Sequence, residues 1–161
     1  MREWLRTQNL ECVASTATIL LQTDHDSGHG LYFSGEVWRV KGKQDPTRSD
    51  FSRDRMREHF FRYLEAEPNL PANERDGKSV ACYLREKGYC AERTAWISHL
   101  MAIDYYQQAE DAGDNKIKMQ RLQRASEFLK KDLAFGGFDQ IMQSKELDRK
   151  IKEALQYLRS S

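Results

Sequence analysis

Apolar residues recur three and four positions apart over most of this chain, the spacing that places them on one face of a helix. Leu10, Val13, Ala14, Ala17, Leu20 and Leu21 form the first stripe, which ends at the turn-forming run Asp24-His25-Asp26-Ser27-Gly28-His29-Gly30. The pattern then changes. Leu31-Tyr32-Phe33 and Glu36-Val37-Trp38-Arg39-Val40 flank Ser34-Gly35, which predicts a small β-hairpin near 31–40. A lone hairpin is marginal, so it is expected to pack against helices. Residues 41–50, with Gly42 and Pro46, read as a loop. Ser49, Asp50 and Ser52 are candidate N-caps for a helix that buries Met56, Phe60, Tyr63 and Leu64.

Pro68, Pro71 and Gly77 mark a linker before a shorter helix over 79–87, with Val80, Tyr83 and Leu84 inward and Gly88 as its C-cap. The longest apolar helix begins near Glu92. Trp96, Leu100 and Ile103 line one face of it, Ile97, Met101 and Tyr105 another, and Ala102, Tyr106 and Ala109 most of the rest. A helix apolar nearly all round belongs at the centre of a bundle. Gly113-Asp114-Asn115 ends it. Met119, Leu122, Ala125, Leu129 and Leu133 form the next stripe, and Phe135-Gly136-Gly137-Phe138 interrupts. Ser144 is expected to cap a last helix with Leu147, Ile151, Leu155 and Leu158 inward. The expectation is a mainly-α single domain over residues 1–161: a bundle of five to six helices with one hairpin insertion. No repeat recurs at a fixed period, although the paired helices loosely resemble tetratricopeptide hairpins.

Composition sharpens this picture. A chain of 161 residues with 11% aromatics can bury a core, while 32% charged residues and a mean hydropathy of −0.82 imply much solvated surface. The net charge of +1 excludes a global basic field, so any nucleic-acid surface must come from segregated charge. Cys12, Cys82 and Cys90 are odd in number and lack a Cys-x-x-Cys pair, which points to reduced, partly buried thiols. No run approaches the length of a membrane span or a signal peptide, so a cytoplasmic protein is expected.

Several patterns suggest chemistry. Asp24-His25-Asp26-Ser27-Gly28-His29 is the densest set of metal-capable side chains. It fails as a calcium loop because Gly35 stands where a bidentate glutamate is required. His25-Asp26 resembles the HD-type phosphohydrolases, but His25 is the first histidine of the chain and that family needs an earlier one. The cluster is read as turn chemistry, and no metal or other cofactor is expected.

Arg53-Asp54-Arg55-Met56-Arg57-Glu58-His59 resembles the Arg-x(4–6)-His signature of HEPN ribonucleases, which are all-helical. The resemblance implies a metal-independent ribonuclease with Arg53 and His59 catalytic and Asp54 as the polar residue after the arginine. Imidazole would move the 2′-hydroxyl proton while guanidinium stabilises phosphate charge. The same residues also read as a solvated helix face of alternating charge. Residues 79–101, around the turn at Gly88, are similar to helix-turn-helix units and to the core-binding domains of tyrosine recombinases. That resemblance implies a DNA-binding regulator presenting Arg93 and Thr94 to a groove. Leu84 stands where such units carry a small alanine, and ordinary helix-hairpin packing is the competing reading. His99, among Trp96, Leu100 and Ile103, reads as a hydrogen-bonded core histidine.

Charge segregation is the remaining signal. Lys116, Gln120, Arg124 and Lys131 lie opposite Leu122 and Leu129, with Lys118 and Arg121 flanking, Lys130 adjacent, and Glu127 as the acid among them. Lys145, Arg149, Lys150 and Lys152 add a second cluster. Such a surface would track phosphates without reading sequence. The leading expectation is therefore a non-catalytic helical subunit or adaptor with protein partners in a larger assembly, an RNA or DNA backbone as ligand, and no membrane. Its size, helicity and charge placement resemble the small helical subunits of CRISPR effector complexes, which implies a role in antiviral defence.

Overall fold

A computed structural model of the chain describes residues 10–70, 93–135 and 138–161, with side chains at 10–70, 94–130 and 143–161. Six α-helices run through them: α1 (Leu10–Thr23), α2 (Gly28–Gln44), α3 (Ser49–Ala66), α4 (Arg93–Asp111), α5 (Asn115–Phe135) and α6 (Phe138–Ser160). No strand occurs among the described residues. The chain divides into two compact units, Met1–Val80 and Ala81–Ser161. The expected helix at 79–87 and the turn at Gly88 lie outside the described residues. None of the described helices is long and apolar enough to cross a membrane.

In the first unit α1 packs on α2 and α2 on α3. The expected stripe of α1 points inward, with Leu10, Val13 and Ala17 buried and Ala14, Leu20 and Leu21 half-buried. The predicted hairpin is not there; its residues are the middle of α2. Ser27 starts that helix, its hydroxyl accepting a hydrogen bond from the Gly30 amide at 3.1 Å. Gly28, Leu31, Tyr32, Gly35 and Glu36 are buried at positions i, i+3, i+4, i+7 and i+8, a helical period that two short apolar runs around Ser-Gly concealed. The glycines serve close approach instead of a turn. A methyl on Gly35 would fall within the van der Waals surface of the Phe60 ring, and one on Gly30 would lie 2.9 Å from Leu21 Cγ.

The expected loop at 41–50 is shorter than its composition suggests. α2 continues to Gln44, and Asp45 then caps a 3-10 turn over Pro46–Arg48, accepting from the Thr47 amide at 3.1 Å. The N-cap of α3 is Arg48, which makes no side-chain capping bond, so neither Ser49, Asp50 nor Ser52 fills that role. α3 buries Ser52, Met56, His59, Phe60 and Tyr63. Glu36 is 1% exposed and is neutralised on its own helix by Arg39, whose Nε and Nη2 both donate to Oε2 at 2.7 Å.

In the second unit α4 packs on α5 and α5 on α6. Ile97, Met101, Tyr105, Ala102 and Ala109 of α4 are buried, whereas Ile103 is 44% exposed and Trp96 and Leu100 are half-buried. α4 is thus apolar on more sides than it buries. Asp114 starts α5, its carboxylate accepting from the Lys116 and Ile117 amides at 2.8 and 3.0 Å. Leu122, Ala125, Phe128 and Leu129 face inward on α5, and Ile151 and Leu155 on α6. Ser144 does not cap α6, which begins at Phe138; it is a fully buried interior residue, hydrogen-bonded to His99 Nδ1 at 2.9 Å.

Candidate functional site

The basic surface expected at the C-terminal end resolves helix by helix. From residue 115 to 161 the chain carries eleven Lys and Arg against six Asp and Glu, so the segregated charge is present. On α5, Lys116, Arg124 and Lys130 are exposed on the side away from Leu122 and Leu129, beside the exposed amides Gln120 and Gln123. Lys118 does not join them; it is half-buried on the inward side. Arg121 is exposed at the margin, with its guanidinium 5.7 Å from the Tyr105 ring centre, and Arg124 lies 4.9 Å from that of Phe128. Tyr105 and Phe128 are themselves stacked at 5.7 Å. Two arginines therefore rest on one aromatic pair, which orders guanidinium groups whose outer edges stay in water.

Ion pairing divides the cations further. Arg124 Nη1 meets Glu127 Oε2 at 2.9 Å, a pair exposed on both sides and therefore weak. Among the described residues no ion pair involves Lys116, Lys118, Arg121 or Lys130. On α6, Arg149 is held between Glu146 and Glu153 at 2.6 and 2.5 Å, and Lys152 pairs with Asp148 at 2.6 Å. The two glutamates raise the Arg149 pKa, and Arg149 holds the Glu146 carboxyl below its ordinary range. Lys145 and Lys150 are exposed. Two of the four cations of the α6 cluster, Arg149 and Lys152, are thus met by acids of their own helix, whereas on α5 only Arg124 is, among the described residues. The Lys131 side chain lies outside the described residues.

The ribonuclease-like pattern falls on α3, and the structure regroups it. Arg53 and His59 are six positions apart, about 120° around a helix, so they do not share a face. His59 is 5% exposed, and its Nδ1 lies 2.7 Å from the Arg55 carbonyl oxygen. A carbonyl only accepts, so Nδ1 carries the proton and the neutral ring presents a lone pair at Nε2. Burial lowers the His59 pKa, with the backbone hydrogen bond opposing, so the ring is neutral near pH 7. The residue that accompanies it is Arg55, one helical turn before it. Both line an open groove of about 330 Å³ together with Gln22, His25, Ser34 and Trp38. The i, i+4 relation of Arg55 and His59 is readable from the chain. The contribution of His25, Ser34 and Trp38 is not, because it needs α1, α2 and α3 to pack.

The remaining candidates have structural roles. Asp24 Oδ1 accepts from the Asp26 amide at 3.0 Å, Ser27 caps α2, and His29 stacks on Phe33. No three metal-capable side chains gather among the described residues. His99 is 3% exposed, stacked 5.7 Å from Trp96, and clamps α4 to α6 through Ser144. With both partners buried, this serine and histidine offer no route to a substrate. Thr94 is half-buried in the first turn of α4, and its carbonyl accepts from Ser98. Cys12 is exposed, not partly buried, and Cys82 and Cys90 lie outside the described residues. Comparison with protein-family models, with curated proteins and with solved structures finds no match to this chain.

Proposed function

We propose that the chain is a non-catalytic helical subunit of a larger assembly and that α5 holds the backbone of a nucleic acid. The observation that carries this reading is the solvent face of α5. Lys116, Arg124 and Lys130 occupy it with amide neighbours, and one glutamate lies among them. Such a face neutralises phosphates and releases counterions without reading bases. Arg121 and Arg124, steadied on Tyr105 and Phe128, supply the ordered guanidinium groups that phosphate recognition favours. Arg149 contributes less, because two glutamates already satisfy it. An assembly that binds and displays RNA, antiviral effector complexes included, is a setting in which such a subunit would act.

Electrophoretic and fluorescence titrations with single-stranded RNA and duplex DNA test the reading. Binding is expected to weaken steeply with salt, and Arg124→Glu should weaken it on all sequences and reduce the log–log salt slope by about 1. Unchanged affinity in a Lys116→Glu, Arg124→Glu, Lys130→Glu triple variant would leave that face merely solvated. If pure protein degrades RNA and His59→Ala abolishes the cleavage, the non-catalytic reading fails in favour of a ribonuclease.

A further inference from the structure

The groove of the first unit takes no part in the proposed α5 surface. Its lining combines one guanidinium (Arg55), two imidazoles (His25 and His59), two hydroxyls (Ser34, and Thr18 that donates to the Ala14 carbonyl) and an amide (Gln22), bordered by the apolar Leu21 and Trp38. These side chains come from three helices and the α1–α2 turn. Arg55 stands at the rim. Its Nη1 donates to Glu58 at 2.7 Å, and its guanidinium carbon lies 5.8 Å from the Trp38 ring centre, leaving further N–H groups to donate. The α1–α2 turn is fixed, since Arg62 Nη2 donates to the His25 carbonyl at 2.5 Å. His59 is more than nine-tenths buried and has its Nδ1 committed to the Arg55 carbonyl, so the exchangeable position of its ring is Nε2.

We infer that this groove binds a phosphate monoester, with Arg55 donating to its oxygens and His59 Nε2 sharing a single proton with one of them. With Nδ1 already protonated and the ring neutral, the shared proton is the phosphate's own second proton, which it loses near pH 6, so binding is expected to tighten as pH falls towards that value. A tetrahedral group with three terminal oxygens suits donors on several helices better than a planar carboxylate does. The volume of about 330 Å³ exceeds what phosphate alone needs, and Leu21 and Trp38 offer apolar surface to the organic part of the ligand. Two sources share this chemistry: a free small phosphate ester, and the terminal phosphate of a nucleic-acid strand.

The full chain is titrated with inorganic phosphate, a nucleoside 5′-monophosphate, and a short oligonucleotide with and without a 5′-phosphate, while imidazole resonances are followed by NMR and affinities by calorimetry. The monophosphate is expected to move the His25 and His59 ring signals. Arg55→Gln removes one side of an exposed ion pair, so an unchanged circular-dichroism spectrum is expected, and it should weaken binding about tenfold, the effect of losing one charge-assisted hydrogen bond. His59→Gln should weaken it as well, and a normal circular-dichroism spectrum would separate that loss from misfolding. A preference for the 5′-phosphorylated over the 5′-hydroxyl oligonucleotide assigns the strand end as the source; tight binding of the mononucleotide without that preference assigns the free ester. Unmoved His25 and His59 signals at millimolar monophosphate, or wild-type affinity in Arg55→Gln, would overturn the inference. Neither outcome bears on α5, whose reversal variants are read separately.

Discussion

Arg55 of the first unit and Arg149 of α6 occupy similar places along the chain: each sits on a charged helix with a glutamate three positions away. Their surroundings differ. Arg55 has one glutamate, lies against Trp38 and borders a groove holding two histidines. Arg149 stands on an open helix face between two glutamates, which engage three of its five N–H donors. The same contrast extends to whole units. Both units bury polar groups, Glu36, Ser52 and His59 in the first and His99, Asp104 and Ser144 in the second, but the helices of the first approach through glycine. The other unit keeps most of its charge in water and carries its candidate ligand surface outside the core. A groove assembled from three helices around the buried His59 is sensitive to packing, whereas an exposed basic face is sensitive to charge.

The largest expected effect is on packing in the first unit. Gly35→Ala places a methyl against the Phe60 ring and should cost about 1–3 kcal/mol of stability in denaturant unfolding. Adding Phe60→Leu to that background should return part of the loss, because the smaller side chain vacates the same space. Additive losses would show that Gly35 and Phe60 do not compete for that space.

A smaller effect is expected where the C-terminal unit does bury polar groups. Ser144→Ala removes the partner of His99 and should cost about 1 kcal/mol, with faster amide exchange at the ends of α4 and α6 that the pair joins. Wild-type stability in this variant would make the contact incidental.

The finest distinction is in pH dependence. The folded state holds the His59 pKa below the ordinary imidazole value of 6.5, chiefly through burial. The unfolded chain therefore takes up the proton first as pH falls. The contribution of His59 is complete above pH 6.5 and is lost as pH drops towards the lowered native value. His59→Gln should flatten that part of the stability profile, and an unchanged slope would mean that the ring is hydrated when folded.

Much of the fold is legible in the chain. The stripes of α1, α3, α5 and α6 follow from three-and-four spacing, and Leu10, Val13, Met56, Phe60, Leu122 and Ile151 are buried as that spacing requires. The exposed cations of α5 follow from the same period. α2 escapes this reading because Gly28, Gly30 and Gly35 have turn-forming propensity. Gly30 and Gly35 are helical here because Leu21 and Phe60 need the space that a side chain would fill. Ser144 resembles a cap because serine favours helix starts, and only the packing of α4 against α6 shows it buried opposite His99.

Periodicity along one helix fixes which residues face inward, since a helix repeats regularly and water rejects apolar surface. It carries no information about which residue of another helix will stand opposite. The sequence alone therefore determined α1 and α3 to α6 and the segregation of charge towards the C-terminal end, but not α2. The neutralisation that sets Arg149 apart from the lysines of α5 was legible too, because Glu146 and Glu153 stand three and four positions from it on the same helix. The grouping of His25, Ser34, Trp38, Arg55 and His59 around one groove was decided by tertiary packing.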